Sequence, residues 1–171
     1  TSSLSRTNAS AGDRRTWTFS AWVKRAELGS GTQNYIFGAT TDNYNVNWAI
    51  FFFGSDELTF YSYTSSQQYQ INTTGVFRDP SSWYHVVLAW DTTQATAADR
   101  IKLYVNGLQI EEFDTAVYPS QNYQEGYINN NIQQDIGRAA TAAYGYDGYM
   151  SEIYFIDGSA LAPASFGQFK S

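Results

Sequence analysis

The chain contains no cysteine. That absence removes disulfide staples, thiolate metal sites and cysteine nucleophiles together, so stability must come from a packed core. There is one histidine, His85, and a serine or threonine nucleophile therefore has no choice of imidazole base. Positive charge is scarce too: 10 Lys and Arg against 16 Asp and Glu give a formal net charge of −6, and the basic residues are scattered. Nucleic-acid binding rests on neutralising phosphates with clustered cations, so that class of partner is not expected. The longest wholly apolar run, Ala49 to Phe53, falls far short of the ~20 residues that a membrane helix requires. Phosphate chemistry wants a glycine-rich loop feeding a helix, and Gly29-Ser30-Gly31 has neither a following helix nor a partner lysine. The opening TSSLSRTNAS lacks an initiator methionine, an apolar signal core and a cleavage pattern, and reads as part of a longer chain.

What is abundant is aromatic and neutral-polar. Aromatics make up 18% of the 171 residues, with 14 Tyr, 11 Phe and 5 Trp, while charged residues reach only 15%. A surface rich in hydroxyls and amides suits sugars or tightly packed partner chains. The length fits one domain over residues 1–171, enough to bury roughly 70% of the surface that the unfolded chain exposes.

Short aromatic and β-branched runs recur between Gly, Asn, Asp and Ser, and they predict about ten strands. Thr16 to Lys24 alternates, with Trp17, Phe19, Ala21 and Val23 on one face. Further strands are expected at Asn34 to Gly38, Asn47 to Phe53, Glu57 to Tyr63, Gln67 to Asn72, Trp83 to Trp90, Ile101 to Val105, Leu108 to Phe113, Gln134 to Gly137 and Gly148 to Ile156. In IKLYVNGLQI, Asn106-Gly107 joins two alternating runs and predicts a type I′ hairpin. Residues 92–100 and 118–131 are polar and irregular and read as exposed loops. Only Leu161 to Phe169 hints at a short helix, with Pro163 in its first turn. The expected class is all-β, a two-sheet antiparallel jelly-roll sandwich with at most one short helix near the C-terminus.

Catalysis finds little support. Glu111 and Glu112 are adjacent, so they point to opposite faces of a strand and cannot pair as hydrolytic carboxylates. His85, on an alternating apolar strand, reads as a hydrogen-bonded structural histidine. In DGYMSEIYFIDG, residues 147–158, Asp147-Gly148 and Asp157-Gly158 read as turns at either end of a strand. Glu152 is the one charge inside it, and Met150 shares the face of Ile153 and Phe155 only if a bulge breaks the alternation.

The ordered motifs TWTFSAWVKR, WYHVVLAWD with IKLYVNGLQI, and IGR followed by YDGYMSEIYFIDGSAL resemble laminin-G-like domains of the concanavalin A-like lectin/glucanase superfamily. Residues 14–17, 77–96 and 155–167 are similar to modules in virion proteins of marine and cyanobacterial bacteriophages. The resemblance implies a non-catalytic virion module, displayed on the virion surface or otherwise extracellular, that binds host cell-surface polysaccharide or lipopolysaccharide. The alternative is a structural capsid decoration or fibre protein that packs against other virion chains or as a homo-oligomer; a polysaccharide hydrolase comes third. Tyr35, Tyr44, Asn45, Tyr118, Tyr123, Tyr144 and Tyr146 are the candidate glycan contacts, as loop aromatics and amides that can stack on a sugar ring and bind its hydroxyls. The resemblance also implies Ca²⁺ as a candidate cofactor at the sandwich rim. Asp42, Asn43 and Asp135 are the oxygen donors of the right type, with Asn45 and Asn129 to Asn131 nearby.

Overall fold

The structure is a computed structural model, and it describes residues 2–29, 31, 33–39, 48–52, 55–63, 67–139 and 141–167. Fourteen strands follow in chain order: β1 (Leu4–Thr7), β2 (Thr16–Arg25), β3 (Asn34–Ala39), β4 (Trp48–Phe52), β5 (Glu57–Tyr63), β6 (Gln67–Val76), β7 (Tyr84–Asp91), β8 (Ile101–Val105), β9 (Leu108–Gln109), β10 (Phe113–Val117), β11 (Gln133–Ile136), β12 (Arg138–Ala139), β13 (Thr141–Gly145) and β14 (Gly148–Asp157). Two antiparallel sheets hold all but β12 and β13, in the orders β1-β11-β3-β4-β5-β6-β10 and β14-β2-β7-β8-β9. The chain is thus a two-sheet sandwich without substantial helix, as its alternating runs predict.

The alternation in β2 sets the core. Trp17, Phe19, Ala21 and Val23 are fully buried, and their neighbours on β7 turn Val86, Leu88 and Trp90 the same way. Trp17 stacks on Trp90 at 5.5 Å between ring centroids and on Phe155 of β14 at the same separation, while Phe60 of the facing sheet meets both indoles edge-on. Such pairs add about 0.5–1.5 kcal/mol each beyond the area they bury.

Three features depart from simple alternation. A bulge between Ser151 and Tyr154, with Glu152 at φ 50°, lets Met150, Ile153 and Phe155 all pack against the core. Thr18 and Ser20, on the outer face of β2, are buried because the segment after β14 folds back over that face. There Thr18 Oγ1 donates to the Ser159 carbonyl and accepts from the Leu161 amide. The expected strand Leu108 to Phe113 is in fact two: β9 ends at Gln109, and the chain crosses to the other sheet as β10, paired with β6. The C-terminal helix is reduced to one 3₁₀ turn, Pro163–Ser165. The Asn106-Gly107 turn has φ of 52° and 83°, the positive pair that a type I′ hairpin needs.

Gly148 opens β14 at φ 152°, and a Cβ there would lie 2.1 Å from the Lys24 carbonyl oxygen. Gly148→Ala is expected to cost about 2 kcal/mol, because neither the φ nor the strand backbone can yield cheaply. Urea denaturation measures this; an unchanged midpoint would show that β14 does not enter the sheet this closely.

Candidate functional site

At one flank of the sandwich, two distant segments, at Asp13 and at Asn129, converge on Asp157, the last residue of β14. Its Oδ1 accepts from the Asp13 amide at 2.7 Å and from Asn129 Nδ2 at 2.6 Å. Asn129 Nδ2 also donates to the Asp13 carbonyl at 2.9 Å, and the Gly12 amide donates to the Asn129 carbonyl at 2.9 Å. Asn129 holds φ 56°, a left-handed conformation that asparagine tolerates. Asp13 in turn accepts from the amides of Arg15 and Thr16 and so starts β2. The N-terminal segment is tied along its length: Asn8 Nδ2 donates to the Asn130 carbonyl, and Ser5 Oγ donates to Asp135.

Between this strap and the sheet edges lies a cavity of about 530 Å³. Leu4, Phe37, Ile136 and Phe155 give it an apolar floor, and Asn8, Asn129, Gln134 and Asp157 give it polar walls. The size and this mixture of walls fall within the usual range for small-molecule sites.

Of the tyrosines expected to bind sugar, those described, Tyr35, Tyr118, Tyr123 and Tyr146, do not line the cavity. Tyr35 is 2% exposed and Tyr146 5%, so neither is an exposed loop residue. Tyr35 lies in a small cluster with Ala49 and Ala139, and Tyr146 belongs to the main core. The reason is that both sit on or beside strands, where aromatic rings gain most by burial. Tyr118 and Tyr123 are half-buried with their rings packed on the core, Tyr123 against Tyr69 and Trp90. Tyr44, Asn45, Asp42 and Asn43 lie outside the described residues, as does the side chain of Tyr144.

Asp135 is fully buried and already engaged. Its Oδ1 accepts from Ser5 at 2.6 Å and from the Arg138 guanidinium at 3.2 Å, and Gln133 donates to both oxygens. A carboxylate neutralised by an arginine does not fit a Ca²⁺ site, which needs its charge. Among the described residues no three His, Cys, Asp or Glu side chains gather to hold a metal.

Other charged groups act within the fold. Asp56 pairs with buried Arg25 at 2.8 Å and with Arg78 at 2.9 Å, and accepts from the Gly29 amide. His85 is buried, shares a 2.9 Å hydrogen bond with Ser20 Oγ and stacks on Trp22. Burial lowers its pKa, while the charge of Glu152 across the bulge pushes it up.

Residues 118–131 are less exposed than their polarity suggests, because Glu125 is buried within them. Glu125 accepts from Tyr69 Oη at 2.5 Å and from the Tyr127 amide at 3.0 Å, and its amide donates to the Arg14 carbonyl. Burial pushes its pKa up to about 7, against the smaller opposing effect of those hydrogen bonds and of Arg14. The folded state therefore binds this proton more tightly than the unfolded chain does. Its contribution to stability is full below pH 4.5 and is lost as the pH rises to about 7, an effect of about 3 kcal/mol. Glu125→Gln, neutral at every pH, should gain on the wild type by that amount between pH 4.5 and 8. His85, whose effect runs the opposite way, cancels in the difference. Parallel melts across this range test it, and a constant difference would refute it.

The comparisons with known proteins agree with this architecture. Among solved structures, the chain superposes on the heptameric SAP-like pentraxin of Limulus polyphemus with a TM-score of 0.62 at 18% identity, over 95% of this chain and 72% of that one. Domain 4 of the arabinanase AbnA from Geobacillus stearothermophilus, solved with arabinotriose, gives 0.60 at 18% identity, over 89% and 65%. Trypanosoma rangeli sialidase, solved with sialic acid, gives 0.55 at 15% identity, where this chain spans only 22% of the sialidase. At these identities the likeness is one of fold. No curated protein sequence matches the chain. A family model described as the concanavalin A-like lectin/glucanases superfamily matches residues 1–164, and with nearly the whole chain matched, the protein belongs to that superfamily.

Proposed function

We propose that the chain is a non-catalytic carbohydrate-binding module whose saccharide seat is the flank cavity. The observation that carries this reading is the cavity's make-up: an apolar, partly aromatic floor of Phe37, Ile136 and Phe155 faced by the amides and carboxylate of Asn8, Asn129, Gln134 and Asp157. A sugar ring needs both, since its C–H face packs on apolar surface while its hydroxyls need hydrogen-bond partners. The arabinanase domain solved with arabinotriose is a sandwich of the same fold, which supports the ligand class. A single such site binds weakly and becomes useful through repetition along a fibre or on a capsid.

The sequence likeness to phage virion modules supports a finer reading: a module on the virion surface that binds host polysaccharide or lipopolysaccharide. A second role, packing against other virion chains or further copies of itself, draws on Tyr149 and Leu108. Both are strongly exposed, on β14 and β9, which are the two edges of the five-stranded sheet.

Ala11 is exposed on the strap and lines the cavity, so Ala11→Trp should fill the seat without disturbing the core. Titration calorimetry against bacterial polysaccharide fragments is expected to show binding by the wild type and none by the variant, at equal melting temperature. Undiminished binding by the variant would refute the seat, and no binding by the wild type at millimolar saccharide would refute the function. Light scattering separates the second role: it predicts a defined oligomer that Tyr149→Asp dissociates, and a monomer at all concentrations that ignores virion chains would refute it.

A further inference from the structure

We propose that the flank cavity, on the reading of it as a saccharide seat, selects neutral sugars by presenting two free acceptors, Asp157 Oδ2 and Asn129 Oδ1, to a pair of neighbouring hydroxyls. The donors of this corner are spent within the protein. Asn129 Nδ2 is shared between the Asp13 carbonyl and Asp157 Oδ1, and the Gly12 and Asp13 amides are bound to Asn129 and Asp157. That leaves Asp157 Oδ2 and Asn129 Oδ1, which accept no hydrogen bond from the described residues although both side chains line the cavity.

Gly12 keeps the two acceptors together and uncovered. A Cβ at that position would stand 2.5 Å from Asn129 Nδ2, 2.6 Å from Asp157 Oδ2 and 2.7 Å from Asn129 Oδ1, so the two oxygens and the amide of the clasp all lie close to one point beside Gly12. Any side chain would fill the gap between them. Gln134 also lines the cavity, 9% exposed, with its Nε2 spent on the Tyr127 and Ile132 carbonyls. Acceptors in this number select a ligand that offers hydrogen-bond donors.

Charge decides which donor-rich ligand. Two charged side chains line the cavity, Asp157 and Arg6, and their charges cancel. A carboxylated or sulfated sugar would set its charge near Asp157 in a chain of net charge −6. A neutral sugar pays no such penalty: vicinal hydroxyls meet Asp157 Oδ2 and Asn129 Oδ1, the ring lies on Phe37 or Phe155, and Arg6 is left to donate to a ring or linkage oxygen. Hydrogen bonds to the carboxylate are charge-assisted and are the stronger ones.

The test is calorimetry with neutral arabinan, galactan and mannan fragments and with their uronate or sialylated counterparts. The wild type should bind at least one neutral fragment and bind acidic counterparts at least tenfold more weakly. Asp157→Asn keeps an oxygen for the Asp13 amide and Asn129 but turns the free acceptor into a donor. It should lower affinity for the neutral fragment about tenfold or more, with only a modest fall in melting temperature because the clasp keeps a neutral acceptor. Gly12→Ala should lower it similarly by crowding the same oxygens, which preserves the test if Asp157→Asn does not fold. If Ala11→Trp abolishes binding while both of these variants bind normally, the acceptor pair is refuted and the seat stands. If Ala11→Trp binds normally, the seat itself is refuted and the acceptor pair falls with it. A preference for acidic sugars that Arg6→Ala removes would also overturn the proposal.

Discussion

Asp157 Oδ1 is a single oxygen atom that joins the end of the last long strand to a backbone amide near the N-terminus and to a side chain from the 126–131 loop. The order of the flank follows from it. Asp13, its own amide held by Asp157, accepts from the two amides that open β2, and Asn129 holds its left-handed backbone with its amide group spanning Asp13 and Asp157. Two residues before Asp157, Phe155 stacks on Trp17, so the polar clasp and the aromatic core position each other. A carboxylate accepting two such bonds is worth more than a neutral acceptor in the same place, because hydrogen bonds to an ionised group are shorter and stronger.

The same device recurs where the chain must bury polar backbone away from its sheets. Glu125 anchors the 118–131 loop from inside, and Asp56 ties the Gly29 turn and Arg78 to the buried guanidinium of Arg25, itself stacked over Phe52 at 4.5 Å. Neither is strong evidence for added stability, since desolvation offsets much of the attraction. What they provide is registration: loops rich in Gly, Asn and Ser acquire one conformation rather than many. The contrast between the two carboxylates follows from their partners. Arginines and an amide hold Asp56 below its ordinary pKa, whereas Glu125 has mainly a tyrosine and backbone amides, and burial wins.

Most of the architecture was legible in the sequence because it rests on local patterns. The period-two runs of β2, β5, β7 and β8, and the Asn106-Gly107 turn, carry their own geometry, and the possible bulge in DGYMSEIYFIDG is visible as a Met150 out of phase. The strands that were not legible, β1, β10, β12 and β13, are short or have a polar composition, and the sheets rather than their own residues hold them extended. The flank cavity had no local signal at all. Gly12, Asn129, Gln134 and Asp157 are brought together across more than a hundred residues, and each alone reads as turn or strand punctuation. Tyrosine was misleading because a polar hydroxyl does not keep its ring at the surface: Tyr35, within β3, and Tyr146, between β13 and β14, are both buried.

The division of labour between core and flank bears on how such a module can change its ligand. The aromatic core runs through β2, β7 and the facing sheet, while the cavity's outer wall is β1 and the strap, whose residues are nearly all exposed. Substitutions along that wall alter shape and polarity without opening a void between the sheets, so they should fall in the small range typical of surface changes. Gly12 is the exception, because it sits against the clasp itself, and the acceptor pair is therefore the most constrained part of the site. On the proposed reading, a sandwich built this way keeps one fixed point of recognition at Asp157 and Asn129 and leaves the rest of the wall open to variation, as a module that follows differences among glycans would need.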